Sequence, residues 1–443
     1  MASTVLSRSV SSTGEIKKAT FSVWLKKSKS TGEQFMFYSY ENNNNNFRFR
    51  FNPEIIEAKT LQGGSTAMQV VTNRKIQDTS AWYHILLAMD STQATAADRC
   101  KIYINGVQET SLSTETYPSQ NANLSVNENG STVYIGAQVN SNYFDGYMTH
   151  LYYIDGTTYT PSTFGETDST TGEWKIKTAP SLTYGTNGFS ILKDGAGVTD
   201  LSGNGNNLTA SGTITAAKDS PSDNFATWNN MFYRQFADKG ACEITPDGDA
   251  DYSYAVSTLG AADGKYYFEF ESNGGNGRAL VGMVNSDWAT EQLPNNQEPG
   301  ANAYSFAYRQ NQGDIQMNNS SSSYGTQITW GTSGNVLMMA VDLDNNKVWY
   351  GVDGTWQNSG DPSNGTNGFD FSSVRVAGEP YLVLVGDDTS SGYGNVQANF
   401  GNGLFGTASV ASAQNPGTGN TSAIFEYTVP TGFTAMTTKG INS

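Results

Sequence analysis

The chain is expected to be an all-β protein built as two tandem antiparallel β-sandwiches, and three observations support this. Apolar residues alternate with polar ones in short runs, clusters of Gly, Asn, Asp and Ser separate the runs, and almost nothing shows the 3.6-residue period of an amphipathic helix. The composition agrees: of 443 residues, 37% are hydrophobic, 12% aromatic and 15% charged, with 47 Gly and 12 Pro. That mixture is too apolar and aromatic for a disordered chain. Length suggests about three domains, but β units of roughly 200–250 residues are common. Two are expected here.

The first series of strands is read at Phe21–Lys27, Phe35–Tyr40, Phe47–Phe51, Tyr83–Asp90, Cys100–Ile104, Ser131–Ala137 and Tyr147–Gly156. In CKIYINGV, Cys100, Ile102 and Ile104 share one face and Lys101, Tyr103 and Asn105 the other, and Asn105-Gly106 supplies the positive φ angles of a tight hairpin turn. The Asn42–Asn46 run reads as a polar hairpin tip, or in an assembly as a contact with a neighbouring subunit. These strands define a first sandwich over 1–166.

From Thr167 the chain becomes rich in Gly, Asn, Thr and Ser, with weak strand signals at Phe189–Leu192 and Leu208–Ile214. This 167–230 stretch is read as a connector. It is too long for an ordinary loop, so part of it is expected to pack on the first domain. The second sandwich, 231–443, has a dense series from Lys265–Glu271 to the YTVPTGF segment. Val336–Leu343 is apolar enough for a central strand, Asp344-Asn345-Asn346 turns the chain, and Lys347–Val352 returns before Asp353-Gly354 turns it again. Its core is expected to contain Phe268, Phe270, Val281, Met283, Leu337, Met339, Val341, Trp349, Leu382, Leu384 and Phe400.

Charge narrows the function classes. Lys+Arg number 25 against 41 Asp+Glu, a net −16, with no run of cations suited to phosphates, so nucleic acid is not an expected partner. No apolar stretch of about 18 residues occurs and MASTVLSRSV lacks the apolar region of an export signal, so neither membrane insertion nor secretion through a signal peptide is expected. The two cysteines, Cys100 and Cys242, are too far apart in sequence for a disulfide framework, and Cys100 falls on an apolar strand face as a buried thiol.

Three segments of the first half, STVLSRSVSSTGEIKKATFSVWLKKS, AWYHILLAMDSTQATAADRCKIYINGVQ and FDGYMTHLYYIDGTTYTPSTFGETDSTTGEWKIK, together resemble the concanavalin A-like, laminin-G-like sandwich found in structural proteins of tailed bacteriophages, especially those of marine bacteria. The FGETD and TGEWK phrases, with the later YGTNGF and DLSGNGNN, are the most specific part, and the resemblance runs from about Thr4 to Trp228. The second half resembles a SPRY domain through GKYYFEFE, LVGMV, GTSGNVLMMAVDLDNNKVWYGVDGTWQNSGDP and VQANFG. Asp353-Gly354 stands where such domains usually carry Asn-Gly, and it suits the same turn. The resemblance implies a non-enzymatic virion surface protein, a tail fibre, spike or head-attached appendage. Such a protein is made in the host cytoplasm, contacts other virion proteins and binds a host surface polysaccharide or envelope protein. It also implies a homo-oligomer, trimers being usual for fibres. A purely architectural capsid or tail decoration is the alternative, and a polysaccharide depolymerase is a third reading.

Retaining glucanases of this shape carry E-x-D-x-x-E along one strand. The nearest match, Glu166, Asp168 and Glu173, has too long a last spacing and lies in a turn, so no catalytic residue is assigned. Glu269 and Glu271 share a strand face and are read as solvated. His84 and His150 sit in strands without metal-ligand spacing and are read as packed or surface residues. GNGN at Gly203–Asn206 and GGNG at Gly274–Gly277 are turns, with no following helix to hold phosphate. No cofactor is expected, with calcium as the one exception. Asp247, Asp249 and Asp251 form a D-x-D-x-D run lacking the Gly and Glu of an EF-hand, a solvated acidic loop being the favoured reading. For a ligand surface, flat rings that stack on sugar C–H faces are the relevant groups. The candidates are Trp288, Tyr308, Tyr324, Trp330, Trp356 and Tyr393, all expected at or beside loops of the second sandwich.

Overall fold

The structure, a computed structural model, describes residues 4–193, 195, 197–231, 235–246, 254–275, 279–287, 298–310, 312–326, 334–387, 393–417 and 422–442. The chain divides into two compact units, Met1–Ala216 and Ala217–Ser443, each built on two antiparallel sheets. Among the described residues, the 167–230 stretch is shared between the units, its earlier part packing in the first and its last part in the second. Trp174–Ile176, Phe189–Ile191 and Thr209–Ser211 are strands of the first, while Phe225, Ala226 and Trp228 are buried in the second. Their sequence signal is weak because each of these strands is only three residues long.

In the first unit an eight-stranded sheet runs in the order Leu112–Thr116, Ser65–Lys75, Ile55–Gln62, Asn45–Asn52, Gln34–Asn42, Thr132–Ile135, Val5–Ser9, Thr209–Ser211. A six-stranded sheet runs Phe189–Ile191, Gly146–Asp155, Lys18–Lys27, Tyr83–Asp90, Cys100–Ile104, Val107–Gln108. Phe21, Val23, Leu25, Phe37, Phe49, Ile85, Leu87, Ile102 and Tyr153 are among the side chains that fill the space between them. The period of two sets this up: Cys100, Ile102 and Ile104 are buried while Lys101 and Tyr103 are half-buried. Asn105 (φ 48°) and Gly106 (φ 82°) take the two positive angles that a tight turn between right-twisted strands demands. At the polar tip, the Asn42 carboxamide oxygen accepts from the amides of Asn44 and Asn45 at 2.9 and 3.0 Å, so the run closes on itself.

In the second unit one sheet runs Gln235–Asp238, Glu243–Pro246, Tyr393–Asn399, Lys265–Gly275, Val336–Asp342, Lys347–Val352, Thr355–Trp356, with Phe369–Asp370 also paired to Lys347–Val352. The other runs Tyr254–Ala261, Tyr381–Asp387, Ala279–Asn285, Ser305–Arg309, Asp314–Met317, Ser320–Ser323. Phe268, Phe270, Val281, Met283, Leu337, Met339, Val341 and Phe400 lie in the core between the sheets, as their spacing implies. Trp349, Leu382 and Leu384 do not. Val348 and Tyr350, Val383 and Val385 point into that core, so their neighbours one residue away face outward. Runs such as YLVLV are apolar on both faces, which hides the parity. The outward face of the Lys265–Gly275 sheet is in turn covered by Ala423, Phe425, Val429, Phe433 and Ala435, packed on Tyr267, Met338, Ala340 and Trp349.

Candidate functional site

Of the aromatic candidates of the second unit, Tyr308, Tyr324 and Trp356 have described side chains. Tyr308 lies within the strand Ser305–Arg309 and is fully buried, its ring 4.9 Å from that of Tyr350. Tyr324 is buried edge-on to Tyr350 at 6.3 Å and donates its hydroxyl to the Asn367 carbonyl at 3.4 Å. Tyr308 corrects the loop expectation, whereas Tyr324 follows the strand Ser320–Ser323 at a loop as expected, with its ring turned into the core. Tyr308 shares parity with Phe306, which stacks on Phe371 at 4.5 Å, so the two-residue period already placed it inward. Trp356 is half-buried, edge-on to Tyr267 at 6.3 Å. Tyr393 opens the strand Tyr393–Asn399, but its side chain is outside the described residues. Trp288 and Trp330 lie outside them altogether, as do Asp247, Asp249 and Asp251. Among the described residues no group of three His, Cys, Asp or Glu side chains converges as a metal site.

The carboxylates singled out in the sequence are bound into the fold. Glu166 lies within the short strand Gly165–Thr167, not in a turn as expected, and Asp168 directly follows it; this strand pairs with Trp174–Ile176. Asp168 pairs with Lys175 and accepts from the amides of Thr170 and Thr171, both at 2.8 Å. Lys175 first, and those amides next, hold its carboxyl below the usual carboxylate range. Glu166 faces Lys177 at 3.6 Å. Each acid braces the turn through a cation of the returning strand.

Glu269 is not solvated. It is fully buried beneath the C-terminal segment, and its carboxylate accepts from the amides of Glu426 and Tyr427, both at 2.8 Å, and from Asn399 Nδ2 and the Tyr267 hydroxyl, both at 3.1 Å. Burial nevertheless pushes its pKa up to about 7. Glu271 is half-buried, its pKa also raised by burial and then by Glu426 and Asp353. Glu269 therefore fastens a covering segment rather than lining a cleft.

Ser22 and His84 form a contact that resembles half of a catalytic triad, with Ser22 Oγ 2.9 Å from His84 Nε2. The indole of Trp174 donates to His84 Nδ1 at 3.2 Å. An indole N–H only donates, so Nδ1 carries no proton and the neutral ring keeps its proton on Nε2, where it donates to Ser22. The imidazole therefore cannot take the Ser22 proton. The ring is fully buried between Trp24 (5.1 Å) and Trp174 (6.0 Å), and burial pulls its pKa down to about 3. His84 is packed, as its strand position suggested.

The faces of the first unit differ in what covers them. On the six-stranded sheet, Leu86, Ala88, Tyr152 and Ile154 pack outward against Phe164, Tyr159, Leu182 and Tyr184. On the eight-stranded sheet the outward row reads Thr116, Gln69, Lys59, Arg48, Tyr38, Tyr134, Ser7, Thr209, each residue directly opposite the next. Gln69, Lys59, Arg48, Tyr134 and the adjacent Tyr40 remain partly exposed. Tyr38 is buried in a ladder of rings, 5.6 Å from Tyr40, 6.2 Å from Tyr134 and 5.5 Å from Phe35. In the next row Arg50 is held by Glu33 at 2.5 Å and Glu57 at 2.6 Å, and Gln69 Nε2 donates to Glu57 at 2.7 Å. Sequence reading missed this face because its members come from five strands, although FRFRF and FMFYSY supply much of it. At the edge of the same unit, Val70, Cys100, Ile102 and Leu112 floor a cleft of about 180 Å³ rimmed by Lys101, Glu109 and Tyr117. Burial raises the Cys100 thiol to about 12, so it is an inert part of that floor.

Comparison with known proteins matches residues 4–156 to a family described as the concanavalin A-like lectin/glucanases superfamily. Comparison with curated proteins gives no match. Among solved structures, the chain is similar to the SPRY domain of human HERC1, with 15% identity over 39% of this chain and 96% of that one, at a TM-score of 0.31. Domain 4 of AbnA, a GH43 extracellular arabinanase from Geobacillus stearothermophilus solved with arabinotriose, has 18% identity over 33% of this chain and 65% of that one, TM-score 0.26. The native heptameric SAP-like pentraxin from Limulus polyphemus has 13% identity over 48% of this chain and 90% of that one, TM-score 0.29.

Proposed function

We propose that this is a non-enzymatic virion surface protein of a tailed phage, a fibre, spike or head-attached appendage, that binds a host envelope glycan through the outward face of the eight-stranded sheet of its first unit. The supporting observation is the composition of that face: Tyr40, Tyr134, Arg48, Lys59 and Gln69 stay in contact with solvent on a continuous strand surface. Tyrosine rings offer flat apolar area with little rotamer loss, and guanidinium, amide and hydroxyl groups hydrogen-bond sugar hydroxyls. Asp168, from the run nearest a glucanase motif, is engaged with Lys175, and the buried Glu269 is engaged with four donors. That supports binding over hydrolysis. Many copies on one particle convert weak single sites into strong retention, and self-association, trimeric in the usual manner of fibres, belongs to the same reading. Retention of the purified protein on susceptible and resistant host cells tests it: preferential retention on susceptible cells, reduced in Tyr40→Ala/Tyr134→Ala, is expected. Equal retention on both would reject it in favour of an architectural role.

A further inference from the structure

We propose that the ligand of the eight-stranded face is an acidic glycan, a polymer carrying carboxylate or sulfate groups, and that Arg48 and Lys59 are the residues that select it. This rests on the glycan-binding reading above and adds the ligand's charge class.

Arg48 and Lys59 are directly opposite each other on neighbouring strands. Like charges in that position repel and weaken a sheet. Neither side chain makes an ion pair with a described residue: Arg48 donates only its Nε to Asn46 at 2.9 Å, and its two terminal nitrogens are left without an acidic partner. Counter-ions are not scarce in this chain, where 41 acids face 25 bases. Two residues along the same strands the charge problem is solved, because Arg50 stands opposite Glu57 and is held by it and by Glu33. Both oxygens of Glu57 are occupied, one by Arg50 and one by Gln69, so Glu57 does not neutralise the neighbouring pair. The result is a pair of bare cations, partly exposed, on a protein of net charge −16.

The neighbours of the pair say what kind of anion fits. Tyr38 stands opposite Arg48, with Tyr134 opposite Tyr38 and Tyr40 beside it, so the cations adjoin a row of rings rather than a deep groove. A sugar ring stacked on Tyr134 or Tyr40 would direct a carboxylate or sulfate substituent toward the guanidinium, with Lys59 and Gln69 next along the strand row. A bidentate guanidinium contact suits both acid types.

The test uses the full chain immobilised for interferometry at 50 and 500 mM salt. The probes are polygalacturonate, its fully methyl-esterified form, dextran sulfate, dextran and a single-stranded oligonucleotide. Polygalacturonate or dextran sulfate is expected to bind about tenfold or more tightly than its uncharged counterpart at low salt, and the two distinguish carboxylate from sulfate. Arg48→Gln/Lys59→Gln should lose about tenfold on the acidic polymer and keep its weak binding to the neutral one. Lys177→Gln, which removes a cation near the covered sheet, should match the wild type. Equal binding of acidic and neutral polymers would overturn the charge assignment while leaving the glycan reading intact. Full acidic-polymer binding by the double variant, or equal binding of the oligonucleotide, would overturn it as well. No binding to any polymer, with unchanged cell retention by the double variant, would overturn the charge assignment, whereas equal retention on susceptible and resistant cells would overturn the glycan reading beneath it.

Discussion

Replacing Glu269 tests how the second unit is held together. In the wild type this carboxylate accepts four hydrogen bonds, two of them from the main chain at Glu426 and Tyr427, in a site closed to solvent. Glu269→Ala leaves those donors without an acceptor beneath the C-terminal segment that carries Phe425 and Phe433. A buried unsatisfied donor costs about 1–3 kcal/mol, and four donors lose their acceptor here. We expect a loss of about 4 kcal/mol, which for a unit of this size lowers Tm by about 10 °C. The pH dependence gives a second handle. Burial raises the folded pKa to about 7 from an ordinary value of 4.5, so the folded state holds this proton more tightly than the unfolded one. Stability from that shift is fully present below about 4.5 and is lost as pH rises through 7, a change of ~3 kcal/mol. Glu269→Gln cannot titrate, so its stability should be flat through that window where the wild type declines. Calorimetry of both proteins between pH 4.5 and 8 is the assay. Parallel profiles, or an alanine variant with unchanged Tm, would refute the reasoning.

Three further outcomes follow from the same geometry. Nitrogen-resolved NMR of His84 should show a neutral ring protonated at Nε2 down to pH 4. Since the folded pKa lies below the unfolded one, stability of the first unit is full above about 6.5 and falls by about 3 kcal/mol by pH 4; titration near 6.5 would contradict this. Gly106→Ala places a methyl group 2.6 Å from the Trp174 ring at a φ of +82°, and should cost about 1–3 kcal/mol and disturb the Trp174–His84 contact, with an unchanged melting curve counting against it. Calcium is expected to leave the melting temperature of the wild type and of Asp249→Ala alike, and a stabilisation seen only in the wild type would place a cation at the Asp247, Asp249 and Asp251 run.

Local features were the legible part of the fold. Cys100–Ile104 shows its faces by simple alternation, and Asn105-Gly106 and Asp353-Gly354 both adopt the pairs of positive φ angles their chemistry favours. Legibility fails where both faces of a strand are covered. In YLVLV every residue is apolar, and nothing local says that Val383 and Val385, rather than Leu382 and Leu384, meet the opposite sheet. Glu269 shows the same limit for a polar residue. Flanked by Phe268 and Phe270, it reads as facing water, and only a segment more than 150 residues along the chain makes it a buried acceptor.

The candidate site depends on the same kind of distant information. In FRFRF, Arg48 and Arg50 are equivalent by spacing, and the run alone would give both to solvent. Their difference lies in the next strand, where Glu57 arrives opposite Arg50 and Lys59 opposite Arg48. One arginine becomes part of a buried ion pair and the other gains a like-charged neighbour. A shift in pairing by two residues would keep the same faces buried and place Glu57 beside Arg48 instead, but would leave the buried Arg50 with Glu33 alone. The observed register, held on one side by the turn at Asn52–Ile55 and on the other by pairing with Ser65–Lys75, leaves two cations uncompensated next to the tyrosines. That pairing gives the face a localised positive charge beside its rings.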